Sequence, residues 1–182
     1  KPQVQSDREV LQIRKLYKLG RFQVAFDING AISYLEDEKG KTWANETHQL
    51  GLFSYETFGP ENYNHWFKHY MRDLKSTHLW ADADYGKPGF EYANPQPKHQ
   101  LYTPVATSID LEKKADTAFV YISLRMSEDA VHFWGAPEEL IIAYEFHKAK
   151  NEIDVSLHWS KKEANRLPEA SWFSFAPSLA NS

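Results

Sequence analysis

Four groups of residues in this chain have the types and spacing to do chemistry. His65 and His69 stand one helical turn apart, a spacing that can place two imidazoles on one metal. A metalloprotease helix would need Glu directly after the first His, and Trp66 stands there instead. A surface pair of histidines is therefore the more economical reading. Asp82 and Asp84 flank Ala83 beside Trp80 and Tyr85. Carboxylates that hold hydroxyls, next to rings that stack on C–H faces, suit a sugar. Trp66 and Trp134 are further candidate platforms. The plain alternative is a loop that packs two rings onto the body and leaves its acids in water. Glu56, Glu138 and Glu169 supply carboxyls for the paired-acid chemistry of glycoside hydrolysis, in which two such groups stand about 5–10 Å apart. Glu138 and Glu139 open a strand and face opposite sides of it, so they cannot share one site. Tyr63, His65 and Tyr70 are residue types that could abstract a proton from a uronate. No phosphate-cradling glycine loop and no nucleophile-elbow serine is present.

These groups have to be positioned by the elements around them, and most of those elements read as β. Phe22, Val24 and Phe26 alternate along one face. Asn29-Gly30 is a strong hairpin signal, and residues 31–35 return as the partner strand. Residues 50–58 form another strand, and Pro60 sits where a helix can begin, carrying Tyr63, Trp66, Phe67, Tyr70 and Met71. Residues 74–100 are rich in Pro and Gly and read as irregular, a length that usually serves function or an interface. Four strands follow, over 102–112, 116–126, 138–147 and 151–159. The last of these alternates Ile153, Val155, Leu157 and Trp159 with Asp154, Ser156 and His158. Near the start, Ser6 and Glu9 make a capping box ahead of Val10, Leu11, Ile13, Leu16 and Tyr17, which predicts a short helix over 7–19. The chain thus divides into a helical lead-in or linker over 1–20 and a β-sandwich over 21–182. The predicted class is mainly β, an antiparallel super-sandwich with one or two short helices.

The final apolar strand enters through Pro168 and carries Trp172, Phe173 and Phe175. Such a strand needs sheet neighbours and a cover, so the sandwich is expected to be incomplete at this end and to expose an apolar patch. A chain of 182 residues fits one domain with a core of its own. Aromatics make up 15% of it, enough to furnish a core and also platforms or interfaces. A net charge of −4 with scattered Lys and Arg argues against nucleic acid as a partner. No apolar run reaches the roughly 20 residues of a membrane span. The absence of cysteine removes thiolate chemistry and Cys-type zinc sites, and no cofactor is implied. The compartment is left open, with an extracytoplasmic location favoured.

Three segments carry a family resemblance: residues 22–32 with Leu35 and Trp43, residues 50–58, and residues 166–175. In this order they resemble the β-sandwich region of α-mannosidase-like glycoside hydrolases, and especially an uncharacterised branch of that group. The first segment is general to galactose-mutarotase-like super-sandwiches. The resemblance implies a non-catalytic domain that packs against a catalytic domain of the same parent chain and shapes a carbohydrate cleft. It transfers no catalytic residue. Two rival readings remain open: a self-standing carbohydrate-binding module, and a small sugar-active lyase or epimerase. The partners expected are carbohydrate and either that catalytic domain or a second copy of the chain.

Overall fold

A computed structural model describes residues 8–71 and 89–179. Two antiparallel sheets pack face to face. One has five strands in the order β1-β8-β9-β10-β11: β1 (Glu9–Val10), β8 (Val105–Lys113), β9 (Thr117–Arg125), β10 (Glu139–His147) and β11 (Ile153–Ser160). The other runs β12-β6-β4-β3-β2: β12 (Glu169–Phe175), β6 (Leu50–Thr57), β4 (Ile32–Glu36), β3 (Phe22–Phe26) and β2 (Tyr17–Leu19). β5 (Thr42–Ala44) joins β4, and β7 (Gln100–Tyr102) joins β6. Among the described residues two α-helices accompany the sheets, α1 (Pro60–Tyr70) and α2 (Glu128–Trp134). The expected mainly-β sandwich with short helices is what forms.

Period-two alternation builds the core. Phe22, Val24 and Phe26 on β3, and Phe53 and Tyr55 on β6, meet Val120, Ile122 and Leu124 on β9 and Leu140, Ile142, Tyr144 and Phe146 on β10, all buried. Phe26 anchors the contact between sheets, with ring centroids 5.5 Å from Tyr144 and 6.5 Å from Phe146.

The Asn29-Gly30 signal marks the β3–β4 turn, with Gly30 at φ 80°. What holds this turn is Asp27, which is buried. Its Oδ1 accepts from the amides of Asn29 (2.9 Å) and Ala31 (3.0 Å), and its Oδ2 accepts from Gln49 Nε2 (2.7 Å). Asp27→Ala strands these donors and is expected to cost about 1.5 kcal/mol in urea unfolding. Asp27→Asn, which keeps the Oδ1 acceptor, should lose less.

The lead-in helix expected over 7–19 does not form. Residues 9–10 pair with Asp110 and Leu111 of β8, and residues 17–19 pair with β3, so the segment crosses from one sheet to the other. Leu11 alone of the five apolar positions is buried, while Val10 and Leu16 are 72% and 53% exposed. A helix here would have buried one stripe. The edges of β8 and β3 take up the two ends of the segment instead, and tertiary pairing overrides a weak local preference.

The closing strand is an edge. Among the described residues β12 pairs with β6 alone, and Trp172 and Phe175 remain 50% and 51% exposed, whereas Phe173 packs against the core. Two half-exposed rings, rather than a continuous apolar surface, mark this edge.

Candidate functional site

Where β6 runs into α1, the chain makes a corner with a groove of about 940 Å³ beside it. Three pieces of sequence meet there. The first is the β6–α1 junction. Gly59 caps α1, its amide donating to Asn62 Oδ1 (3.1 Å), and Pro60 occupies the first turn. This places Glu56 and Phe58 below Asn62, Tyr63 and Trp66. The second is His99, at the entry to β7. The third is residues 165–169, which lead from the loop after β11 into β12.

Two carboxylates enter this groove, each held by other groups. Glu56 accepts from His99 Nε2 (2.7 Å) and from Trp172 Nε1 (2.8 Å), and the His99 ring stacks on Phe58 at 5.7 Å. Glu169 accepts from Lys162 Nζ (2.7 Å), from Asn165 Nδ2 (3.1 Å) and from the Tyr55 hydroxyl. That hydroxyl also lies 2.6 Å from the Trp134 carbonyl, which takes a second hydrogen bond from Asn165 Nδ2 (2.8 Å). Burial raises the Glu169 pKa, but the bonds from Lys162, Tyr55 and Asn165 together outweigh it and hold the carboxyl below its ordinary range. Burial, and then the Glu169 carboxylate, push the Tyr55 phenol well above its usual value.

Strand register decides how the two acids relate. Glu169 stands opposite Thr57, and Glu56 opposite Ala170, so the two carboxylates leave the β6–β12 ladder on opposite faces. Glu138 lies elsewhere, among the surface ion pairs of Arg125, Lys161 and Glu139. Glu56 and Glu169 both line the groove, but from opposite faces of the ladder and with separate partners, so they do not form a facing pair, and Glu138 is not among the lining residues.

The rings of the groove come from α1. Tyr63 and Trp66 have centroids 5.2 Å apart, and Trp66 stacks on Tyr70 at 5.1 Å. Trp66 is 42% exposed and keeps surface for a ligand. Trp134 does not serve as a platform: it is 5% exposed, and its backbone carbonyl, not its ring, takes part in the Tyr55 network. An aromatic at the end of a seven-residue helix is drawn into the core by the apolar face it continues. Trp80, Asp82, Asp84 and Tyr85 lie outside the described residues.

The His65 and His69 rings lie 4.1 Å apart, tilted by 36°, and His69 Nδ1 donates to the His65 carbonyl (2.7 Å). No third ligand-bearing side chain closes a metal-sized cluster around them among the described residues. One such cluster occurs elsewhere, formed by Glu145, His147 and Asp154. Its His147 presents Nε2 to Asp154 (2.7 Å) and Nδ1 toward Glu145 (3.8 Å). Asp154 thus holds the imidazole by one hydrogen bond, while Glu145 faces the other nitrogen without bonding it.

Sequence reasoning did not single out Tyr55, His99, Lys162 or Asn165. Asn165 and Glu169, four residues apart around Pro168, were the one available hint. His99 carries no local signal, since its role comes from β7 pairing with β6.

No helix among the described residues is long and apolar enough to cross a membrane. A family model described as "Domain of unknown function (DUF5054)" matches residues 1–154. No curated protein and no solved structure matches the chain.

Proposed function

We propose that this chain, which belongs to the DUF5054 family, acts as a non-catalytic β-sandwich domain that binds carbohydrate in the groove between β6, α1 and β12. One observation carries the reading: the half-exposed ring of Trp66 and the neighbouring Tyr63 share a groove with Glu56, Asn62, Asn165 and Glu169. Rings give a sugar its C–H stacking surface, and amides and carboxylates receive its hydroxyls. The resemblance of three segments to the sandwich of α-mannosidase-like glycoside hydrolases supports the same role, in which the domain packs on a catalytic domain and shapes its cleft. A structural rather than reactive part for the acids follows from their commitments. Glu56 is held by His99 and Trp172, and Glu169 by Lys162, Asn165 and Tyr55.

The test is a glycan array followed by calorimetry on the strongest hit. Trp66→Ala is expected to weaken binding roughly tenfold, the loss of one stacking platform, with the circular dichroism spectrum unchanged. Absence of binding to every glycan on the array would sink the proposal.

A second reading, a small sugar-active lyase or epimerase, draws support from the convergence of Tyr63, His65, His99 and Glu56 on that groove. Turnover of an oligosaccharide that disappears in His99→Ala would favour it over simple binding.

A further inference from the structure

The four terminal strands of the two sheets are unlike one another. β1 and β2 are two and three residues long, short enough to offer little to another chain. β11 and β12 are eight and seven residues long. β12 is interrupted by a register shift at Ser174/Phe175, whereas β11 pairs with β10 without a break from Ile153 to Ser160. β11 also contains no Pro and no Lys, the residues that commonly blunt a long flat edge. Its inward side chains Ile153, Val155 and Leu157 are partly buried against the core, and Trp159 is 52% exposed.

We propose that β11 is an interface strand and that its occupant is a second copy of this chain, paired antiparallel about a two-fold axis at Ser156. The sequence of the strand is self-complementary in this register. Ile153 faces Trp159 of the second copy, and Val155 faces Leu157, so each inward pair is apolar. On the outward side, Asp154 faces His158 of the second copy, an acid opposite a base, and Ser156 faces its own equivalent. Shifting the axis to Leu157 would set Ile153 against Lys161 and remove the acid–base pair. The edge of β12 has no comparable match. Centred on Trp172, it would put Glu169 against Phe175 and leave no charge complementarity. Pairing at Ser156 joins two five-stranded sheets into one continuous sheet, an isologous arrangement that closes on itself. It covers the apolar margin at Trp159 and satisfies the unpaired main-chain groups of the edge.

The native chain contains no cysteine, so a single introduced thiol reports cleanly on this register. Ser156 is exposed, and so is Ser160. In the proposed dimer the two copies of residue 156 are directly opposed, with Cα atoms about 4.5–5.5 Å apart, within disulfide reach. Residue 160 instead faces Glu152 of the second copy. Ser156→Cys is expected to give a disulfide-linked dimer on mild oxidation, and Ser160→Cys to remain unlinked. By sedimentation velocity the native chain should run as a dimer at micromolar concentration. Ser156→Lys, which sets two ammonium groups against each other at the axis, should run as a monomer with an unchanged circular dichroism spectrum. A native chain that sediments as a monomer across that range would assign the edge to some other strand and overturn the proposal. Equal crosslinking at 156 and 160 would overturn it as well, as would a dimer that Ser156→Lys leaves intact.

Discussion

Gly51→Ala is expected to destabilise the protein by about 3 kcal/mol. Gly51 lies within β6 at φ 75°. It is the extra residue of a bulge: Ser174 of β12 stands opposite Leu52, Phe175 stands opposite Leu50, and Gly51 has no partner. Glycine in the left-handed region is the usual solution at such a bulge. An L-residue there costs roughly 1–2 kcal/mol. The added Cβ would also lie 2.3 Å from the Tyr144 hydroxyl, which belongs to the opposite sheet. Relieving an overpacked core contact costs a further 1–3 kcal/mol or so. On a domain of this size the sum lowers Tm by roughly 6–12 °C. The steric share can be separated. Tyr144→Phe removes the clashing oxygen, at the price of its own hydrogen bond to the Gly30 carbonyl (3.2 Å). In a double-mutant cycle read by urea unfolding, the combined variant should be more stable than the sum of the single losses predicts. Strict additivity would show that backbone strain alone accounts for the effect.

Tyr55→Phe should cost about 2 kcal/mol at neutral pH, the range expected for losing a buried hydrogen bond to a charged group. The ring stays and fills the same volume, while Glu169 and the Trp134 carbonyl lose one donor. The pH dependence distinguishes this from a packing defect. In the native chain the folded Glu169 pKa lies below its ordinary 4.5. Its contribution is therefore complete above about 4.5 and is lost as pH falls through the lower folded value. Tyr55 behaves in the opposite sense. Its folded pKa lies above the ordinary 10.0, so its contribution is complete below 10 and is lost as pH rises beyond it. The difference between native chain and variant should be widest between these limits and should shrink at both ends. A difference that stays constant from pH 3 to pH 11 would mean that the phenol matters only for its shape.

Much of the fold was legible because its signals are local. Alternation in Phe22, Val24 and Phe26, and again in Ile153, Val155, Leu157 and Trp159, shows which face is inward, because a strand repeats every two residues. Asn29-Gly30 marked a turn, and Gly59-Pro60 preceded a helix. The helix over 7–19 failed for the complementary reason. Its apolar positions fit a helical stripe, but the edge of β8, about 100 residues away, took one end of the segment and a tight hairpin with β3 took the other. Trp134 was a candidate sugar platform by residue type, yet burial is a property of the packed whole.

The candidate site divides in the same way. Composition and spacing determined by themselves the supply of chemistry: aromatics on α1, isolated acids, histidines, and no thiol. They also determined an antiparallel sandwich able to hold those groups. Only the tertiary structure decided that Glu56 and Glu169 would line one groove from opposite faces of a ladder, that His99 would reach Glu56 across 43 residues, and that Tyr55 would share its proton with a strand 114 residues away. It also decided that β11 would be left as an edge. Side-chain periodicity is written in neighbouring residues, whereas register and strand order depend on which distant segments bury each other's surface.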